Sequence, residues 1–331
     1  MVIAVTGAAG HVGTNLALAL LRDGYPVRAV DLREPVTAGR RGAEWVCADI
    51  RDATAMRSAF EGADVVYHLA AVISIVGPLG GLVQSVNVDG VSAVAEAART
   101  TRVRRLVHCS SVHAFDLAAC RGATVDEASP RSVDPRLPTY DRSKAAGEAR
   151  VAQALDRGLD AVIVNPTGII GPLDEGPSRM GAVFRAIWRL RMTARVAGGF
   201  DWVDVRDVVA ALRAAAQRGR TGENYLVPGH RYGFDDLARL AGTAAGGMTI
   251  RQVLPDNLVR AAAPPLTLLA RRVPSAAALL PTSEALHAID AFPVVSGAKA
   301  ARELSHQPRP ITDTLAELYA HFVATGRLRR R

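Results

Sequence analysis

A glycine-rich turn near the N-terminus constrains the fold of this chain more than any other feature. The sequence TGAAGHVG lies between a β-rich run, Val2–Thr6, and a helical pattern, Gly13–Asp23. Gly7 permits a tight turn, Gly10 lets the backbone approach a ligand, and Gly13 allows the helix to pack closely on the strand. The first turn of such a helix offers unpaired N–H groups to phosphates. The motif therefore predicts a pyrophosphate site, and the missing GK[ST] ending argues against a Walker-type loop.

The first half of the chain alternates short β-rich runs with helical patterns, which indicates a parallel sheet covered by helices. The predicted strands are Val2–Thr6, Val27–Asp31, Trp45–Ala48, Val65–His68, Leu106–Ser110 and Ala161–Val164, and the predicted helices include Gly13–Asp23, Ala53–Phe60, Val88–Arg99, Lys144–Arg157, Asp204–Arg218, Phe234–Ala245 and Ile311–Thr325. We predict an α/β fold: a Rossmann doubly wound parallel sheet with a smaller interleaved C-terminal substrate lobe. Residues 1–165, completed by parts of 200–230, are expected to bind the dinucleotide, and residues 166–331 mainly to form the lobe.

An acidic residue at the end of the second strand predicts which dinucleotide binds. Asp31 stands 18 residues after Gly13, where a carboxylate can accept both ribose hydroxyls and repel a 2′-phosphate. This favours NAD over NADP, although Arg33 is close enough in sequence to reach a 2′-phosphate. Asp49, after the third strand, is expected to face the adenine amino group or, alternatively, to cap the helix that begins near Asp52.

A tyrosine and a lysine four residues apart supply a candidate acid/base pair. Tyr140 and Lys144 share one face if this segment is helical. A free tyrosine has a pKa of about 10, and a nearby ammonium together with a positive nicotinamide ring would favour the phenolate and lower that pKa. The pair can then donate or abstract a hydroxyl proton. Ser111 follows the predicted strand Leu106–Ser110, at the sheet edge where ligands bind, and can orient the substrate oxygen.

Composition narrows the class of protein. The chain has 331 residues, of which 49% are apolar, and a formal net charge of +8. That is enough apolar material for a sizeable core, and the phosphates of a dinucleotide satisfy the basic balance as well as nucleic acid does. Cys47, Cys109 and Cys120 are too few and too poorly spaced for a disulfide framework or a zinc site. The N-terminus lacks the basic region of a signal peptide, and no apolar run reaches about 20 residues.

These features predict the location and the partners of the protein. We expect a cytoplasmic enzyme that acts on a small molecule, with no metal, no nucleic-acid partner and no stable membrane insertion. Whether the chain forms a homodimer stays open. The basic tail Arg327–Arg331 is interpreted as a solvated end. The apolar segment Leu258–Pro281 is interrupted by three arginines and by prolines, which argues against a membrane span.

A set of motifs in a fixed order resembles one enzyme family. The motifs are TGAAGHVG, Asp31, HLAA (His68–Ala71), NVDG (Asn87–Gly90), CSSVHAF, YDRSKAAGE, NPTGIIGP (Asn165–Pro172) and WVDVRDV (Trp202–Val208). Together they resemble the extended short-chain dehydrogenases/reductases grouped as NAD-dependent epimerases/dehydratases, over nearly the whole chain. The resemblance implies that Ser111, Tyr140 and Lys144 form the catalytic triad. In addition to contacts from the three glycines, Asp31 and Asp49, the resemblance implies cofactor contacts from His11, Val12, Ile50, Leu69, Ala70, Ala71, Tyr140, Lys144, Pro166 and Ile169.

Departures from the family pattern indicate the type of substrate. Val112 and His113 stand where sugar-nucleotide dehydratases carry acidic residues, and Gly168 and Phe200 stand where sugar-nucleotide enzymes carry an asparagine and an arginine. The chain resembles instead the dihydroflavonol-reductase-like and 3β-hydroxysteroid-dehydrogenase-like members, which act on ketones or alcohols of apolar molecules. We therefore expect an NAD(P)-dependent oxidoreductase with a small-to-medium apolar substrate.

Two segments of the second half, Met180–Met192 and Leu258–Leu280, are expected to line the substrate pocket, although apolar helical faces usually belong to the core. His68 and His108 are interpreted as structural residues, and His113 as a loop histidine. Two other functions stay open: a sugar-nucleotide epimerase that retains its NAD, and a non-catalytic NAD(P)-binding regulator. The intact triad argues against the regulator.

Overall fold

The structure, a computed structural model, describes residues 1–33, 42–176, 178–190, 192–194, 196–249, 252–272, 280–291 and 293–329. Its strands are β1 (Val2–Thr6), β2 (Val27–Asp31), β3 (Glu44–Cys47), β4 (Ala63–His68), β5 (Arg105–Cys109), β6 (Thr124–Val125), β7 (Ala161–Pro166), β8 (Gly168–Ile170), β9 (Met192–Ala194), β10 (Gly199–Asp204), β11 (Asn224–Val227), β12 (His230–Gly233), β13 (Gln252–Leu254) and β14 (Val294–Val295).

The helices alternate with these strands in the first half and cluster in the second. They are α1 (His11–Arg22), α2 (Ala53–Phe60), α3 (Leu82–Gln84), α4 (Val91–Thr100), α5 (Thr139–Leu155), α6 (Arg179–Leu190), α7 (Val205–Arg218), α8 (Phe234–Ala244), α9 (Asp256–Arg272), α10 (Ser283–Ala291), α11 (Ala298–Leu304) and α12 (Ile311–Ala324). A π-helical turn, Ser85–Gly90, joins α3 to α4, and a 3-10 turn, Val112–Ala114, follows β5.

Seven parallel strands form the central sheet in the order β3-β2-β1-β4-β5-β7-β11. The chain reverses its direction of travel across the sheet between β1 and β4, so a crevice opens there at the carboxyl ends of the strands. The inner strands are apolar on both faces because helices cover both. The predicted α/β class with a Rossmann doubly wound sheet is confirmed.

Each face of the sheet has its own core. Helices α1 and α7 cover one face, where Leu16, Leu212 and Val107 belong to one buried core. Helices α2, α4 and α5 cover the other, where Phe60 and Val151 are fully buried. Helix α7 and strand β11 come from the second half of the chain, so the second half completes the sheet and its cover.

Most predicted elements occur within one or two residues of their predicted bounds, and Ala53–Phe60 coincides. The largest difference is in α5, which begins at Thr139 instead of the predicted Lys144. The predicted helix Val88–Arg99 is also preceded by the π-helical turn, so regular α-helix begins only at Val91.

The second half adds three small sheets beside the carboxyl edge of the central one. Strand β10 pairs with β8 and β12, β13 pairs with β9, and β14 pairs with β6. A separate core joins the first of these to α6, α8 and α12, with Phe184, Trp202 and Phe322 buried at its centre. That these strands and helices form a substrate-binding lobe stays a prediction.

Helix α9 lies in the segment that the sequence analysis treated as interrupted by prolines. Pro264 and Pro265 stand inside the helix, and both are on its exposed side, where water can satisfy the carbonyl groups that they leave unpaired. Three predicted stretches lie partly outside the described residues. They are residues 273–279 of the same apolar segment, the side chains of residues 191–195 at the end of the predicted pocket segment Met180–Met192, and residues 330–331 of the basic tail. No helix in the described ranges is long and apolar enough to cross a bilayer.

Candidate active site

The glycine-rich turn has the geometry that a dinucleotide pyrophosphate needs. Gly7 has a φ of +71°, and a Cβ on it would lie 2.6 Å from the Ala70 nitrogen in the loop after β4. A Cβ on Gly13 would collide with the Gly7 carbonyl, so no larger residue allows α1 to lie this close. Gly10 precedes α1 and provides no side-chain cap. The first helical turn is therefore a suitable anion site.

Asp31 ends β2 directly beside this turn. Its Oδ2 accepts a hydrogen bond from the Ala9 nitrogen at 3.0 Å, and its Oδ1 accepts one from the Arg33 nitrogen at 3.3 Å. The carboxylate thus fixes the glycine-rich turn to the end of β2. This places a negative charge at the point where the family pattern puts the adenosine ribose.

Asp49 has a different local role from the helix cap considered in the sequence analysis. Arg51 pairs with it at 2.6 Å and lowers the pKa of the carboxyl, chiefly through a side-chain hydrogen bond. The cap of α2 is Asp52, which accepts hydrogen bonds from the nitrogens of Thr54 and Ala55. The capping alternative for Asp49 is therefore wrong, because Asp52 itself reaches the free N–H groups of the helix.

The other predicted cofactor residues begin α1, follow the carboxyl ends of β3 and β4, end β7 or lie in β8. They are His11, Val12, Ile50, Leu69, Ala70, Ala71, Pro166 and Ile169. Two of their side chains are already engaged. The His11 Nε2 lies 3.0 Å from the Pro172 carbonyl oxygen, and the Ile50 side chain belongs to the core beneath α4. The side chains of His11 and Ile50 thus already have partners within the protein.

Asn87, in the π-helical turn, ties the loop after β4 to the catalytic helix. Its side chain accepts from the Val72 nitrogen at 2.8 Å and donates to the Val72 carbonyl at 2.9 Å and to the Ser143 hydroxyl at 3.0 Å. Asn87 is not one of the three predicted triad residues. The structure shows why it matters: it sets the distance between the loop Leu69–Val72 and α5.

Three predicted catalytic residues come together at the carboxyl end of β5. Ser111 follows the strand, and its hydroxyl accepts a hydrogen bond from the His113 nitrogen at 3.2 Å. Tyr140 lies in the first turn of α5 and Lys144 one turn later. The Lys144 Nζ donates to the Cys109 carbonyl at 3.4 Å, which anchors the ammonium at the strand end. All three side chains are buried.

Burial controls the acidity of this cluster. Desolvation raises the pKa of Tyr140 well above its ordinary range, and a hydrogen-bonding interaction with the Ser111 side chain opposes it. Desolvation also lowers the pKa of Lys144. The lowered Tyr140 pKa expected from the sequence is therefore not what the protein's own groups produce, because removal of the phenol from water outweighs its neighbours.

A buried polar network holds the backbone of Ser111. The Asn165 Nδ2 donates to the Ser111 carbonyl at 2.9 Å and to a Glu148 carboxylate oxygen at 2.5 Å. Asn224 donates to the other oxygen of Glu148 at 3.0 Å, and Arg131 forms an ion pair with the same carboxylate at 3.0 Å. Neither Glu148 nor Asn224 was predicted as a site residue. The motif YDRSKAAGE contains Glu148, and its spacing from Lys144 was the only available signal.

His113 is better placed than a simple loop histidine. Its Nδ1 lies 3.0 Å from a carboxylate oxygen of Asp141, in a contact that is not aligned as a hydrogen bond. The imidazole meets the Tyr140 ring edge-on and stacks on Phe200 with a centroid distance of 5.5 Å. The aromatic ring of Phe200 thus borders the catalytic cluster, on the side where the lobe joins it.

His68 and His108 lie beneath the cluster and are structural, as the sequence analysis interpreted them. Both are buried, and their rings stack with centroids 5.2 Å apart. The Nδ1 of His68 is 2.7 Å from the Thr6 hydroxyl. Desolvation lowers the pKa of His68 to about 3 and lowers that of His108 as well, so both rings are neutral near pH 7.

The comparison with known families decides the class of this protein. A model of the NAD dependent epimerase/dehydratase family matches residues 3–227. The chain belongs to this family. The membership confirms the resemblance stated from the motifs, and it identifies the chain as an NAD-dependent enzyme of the extended short-chain dehydrogenase/reductase type. A non-catalytic regulator is therefore not supported.

Similar proteins include a sterol demethylase protein and a putative reductase. The chain is 37% identical over 262 residues to sterol demethylase protein B of Methylococcus capsulatus, a match that covers 78% of this chain and 79% of the relative. It is 34% identical over 230 residues to a putative dihydroflavonol 4-reductase of Synechocystis, with 69% and 66% covered. Among solved structures, gox2253 superposes with a TM-score of 0.81 at 29% identity, covering 99% of both chains.

Proposed function

We propose that this epimerase/dehydratase family member is an oxidoreductase that interconverts a ketone and an alcohol on an apolar substrate, with Tyr140 as the acid/base. The observation that carries the proposal is the cluster of Ser111, Tyr140 and Lys144 at the carboxyl end of β5, next to the switch point of the sheet. When bound there, NAD supplies or accepts a hydride. The glycine-rich turn and Asp31 fit its pyrophosphate and ribose.

The proton chemistry follows from the burial of the phenol. With a raised pKa, Tyr140 keeps its proton near neutral pH and can donate it to a carbonyl oxygen during reduction. In the reverse direction the same oxygen accepts the hydroxyl proton of the alcohol. The Lys144 ammonium stabilises the phenolate that donation leaves, and the Ser111 hydroxyl donates to the reacting oxygen and holds it beside Tyr140.

The apolar substrate class rests on the residues beside the cluster. Gly168 in β8 has no room for a side chain, because a Cβ would lie 2.9 Å from both Phe200 Cδ1 and Trp202 Cε3. Aromatic rings thus stand where sugar-nucleotide enzymes place polar groups. The names of the relatives, a sterol demethylase protein and a dihydroflavonol reductase, agree with this class.

Substitution of Tyr140 by phenylalanine tests the mechanism. The change removes one hydroxyl, so folding and NADH binding should survive while turnover on a ketone substrate falls by roughly 10²–10⁴. Turnover is measured by NADH absorbance with a panel of steroid ketones and dihydroflavonols. Ser111→Ala should reduce mainly turnover, whereas Lys144→Ala should reduce turnover and cofactor affinity together.

A second acid/base candidate sets the outcome that would contradict this assignment. If Tyr140→Phe retains near-normal turnover while His113→Gln loses it, the proton donor is the imidazole supported by Asp141. The Nδ1 contact of His113 with Asp141 gives this alternative its physical basis. If neither variant changes turnover of an accepted substrate, both assignments fail.

A further inference from the structure

Helix α9 carries an unusually apolar exposed face. Its inward side, with Val259 and Ala263, packs against Leu286 of α10, and Thr267 accepts a hydrogen bond from the Ser283 nitrogen. Its outward side presents Leu258 and Leu268, whose exposed fractions are 59% and 61%, followed by Leu269 at 47%. The positions between them on that side are Ala261, Pro264 and Pro265. The helix therefore packs one apolar side on the protein and presents a second apolar stripe to solvent.

Neighbouring segments extend this stripe into a patch. Eight of the 13 large exposed apolar side chains of the described residues lie in only two segments, which is far from a random scatter. They are Val253, Leu254, Leu258, Leu268 and Leu269 in and before α9, and Ile73, Leu79 and Leu82 between the end of β4 and the start of α3. Arg271 joins the two segments, since its Nε donates to the Val76 carbonyl at 2.9 Å. We call these eight side chains the α9 patch.

The exposed positions of α9 carry charges of one sign, although Glu284 of α10 brings a partly buried carboxylate close to Arg271. No exposed position of α9 carries a carboxylate, because the acidic Asp256 is partly covered and forms an ion pair with Arg260. Arg260 also pairs with Asp290 of α10, which neutralises it on the inner side. Arg271 and Arg272 end the exposed face with two positive charges. An apolar stripe with a basic end complements a lipid surface whose headgroups are anionic.

We propose that the α9 patch docks this protein on the surface of an anionic phospholipid bilayer, with α9 lying in the plane of the interface. The helix has no stretch that could span a bilayer, so it rests on the lipid without crossing it. The patch includes the loop after β4, which Asn87 ties to the catalytic helix. Docking would therefore place the catalytic cluster near the lipid, where an apolar substrate dissolves.

Vesicle co-sedimentation tests the proposal without any turnover. The full chain is mixed with vesicles of phosphatidylcholine alone or of phosphatidylcholine with phosphatidylglycerol. We expect binding to the anionic vesicles, weakened by salt. The variant Leu268→Glu/Leu269→Glu should bind at least roughly tenfold more weakly, because each leucine removed from lipid costs about a factor of ten or more in partition.

A matched substitution distinguishes the α9 patch from general surface apolarity. Val133 is 76% exposed and lies outside the patch, so Val133→Glu should bind vesicles as the unmodified protein does. Cooperative unfolding and NADH binding confirm that each variant is folded. The proposal is overturned if the unmodified protein stays in solution with anionic vesicles, or if the double variant binds equally well.

A second copy of the chain is the competing occupant of the same patch. Light scattering would then show a concentration-dependent dimer that Leu268→Glu/Leu269→Glu dissociates, with no vesicle binding by the unmodified protein, and that result would also overturn the proposal. Failure of the proposed ketone–alcohol chemistry would leave vesicle binding unchanged. The two proposals therefore fail separately.

Discussion

Asp31 has two separate tasks, since its carboxylate accepts the Ala9 N–H and also brings a negative charge to the proposed ribose site. We predict that Asp31→Asn narrows the preference for NADH over NADPH by roughly tenfold, about 1.4 kcal/mol, because the amide still accepts a hydrogen bond but no longer repels a 2′-phosphate. Calorimetry with both cofactors measures the change.

The alanine variant is the control for the structural task. Asp31→Ala also loses the hydrogen bond from the Ala9 nitrogen, so it should weaken the binding of both cofactors and also narrow the preference for NADH over NADPH. Arg33→Ala should weaken the binding of NADPH alone if that guanidinium reaches a 2′-phosphate. Tighter NADPH than NADH binding by the unmodified protein would contradict the assignment of Asp31.

His68 makes the stability of the fold depend on pH. Its pKa is about 3 in the folded protein, against an ordinary value of 6.5, so between these limits the unfolded chain binds a proton that the folded one does not. The free energy of unfolding should therefore fall as the pH is lowered below 6.5, with a contribution from His68 of about 1.4 kcal/mol per pH unit, and this contribution is constant above pH 6.5.

The variant His68→Asn removes this titrating ring. Urea unfolding at a series of pH values between 6 and 4 should give it a shallower dependence than the unmodified protein by about the same slope. Parallel curves for the two proteins would show that His68 is not desolvated as the structure indicates.

Residues that act through distant partners mark the limit of what the sequence could predict. Gly7, Gly13 and Asp31 were found because their roles depend on a local strand–turn–helix pattern. The contacts of Glu148 with Asn165 and of His113 with Asp141 join residues 17 and 28 positions apart, and only the packed fold brings them together. The burial that raises the pKa of Tyr140 in the protein alone could not be predicted for the same reason, since burial is not visible in the spacing of Tyr140 and Lys144.

At the scale of elements, α5 shows the same limit. The segment PTYDRSK has no apolar period, so pattern analysis placed the start of the helix at Lys144 instead of Thr139. The polar residues of its first turn find partners elsewhere: Asp141 contacts His113, and Ser143 receives a hydrogen bond from Asn87. Tertiary contacts therefore stabilise a helical turn whose own sequence does not predict it.

The pairing of β8 with β10 predicts weak binding of nucleoside diphosphates. Trp202 lies opposite Gly168 in this pairing, and the rings of Trp202 and Phe200 fill the space of a polar side chain. We expect UDP and dTDP to bind no better than in the millimolar range, about 4 kcal/mol, in titration calorimetry, while NADH binds normally to the same sample. A micromolar UDP complex would restore the sugar-nucleotide epimerase as the function.

At the scale of the whole molecule, the nucleotide-binding half depends on the second half. Leu212 of α7 and Tyr225 and Val227 of β11 are fully buried in the same core as Val5 of β1. We predict that a fragment of residues 1–165 lacks a cooperative urea transition by circular dichroism, because β7 then has an open edge and one face of the sheet loses α7.

A longer fragment is the control. Residues 1–229 include α7 and β11 and should regain a cooperative transition, although without α11, whose Ala300 and Leu304 pack on the same core, it should be less stable than the full chain. A cooperative transition in the 1–165 fragment would show that the domain boundary expected from the sequence is also a folding boundary.

The position of β11 late in the sequence also has a consequence during translation. All six residues of β7, AVIVNP, are buried in the finished sheet, yet the strand that covers its outer edge is translated after the whole excursion through β8, α6 and β10. At about 5–20 residues per second, a ribosome leaves that edge bare for roughly 3–12 seconds. Nascent chains would then expose an aggregation-prone strand rich in valine and isoleucine. The yield of active protein should therefore depend on chaperone capacity and on the speed of elongation between β7 and β11.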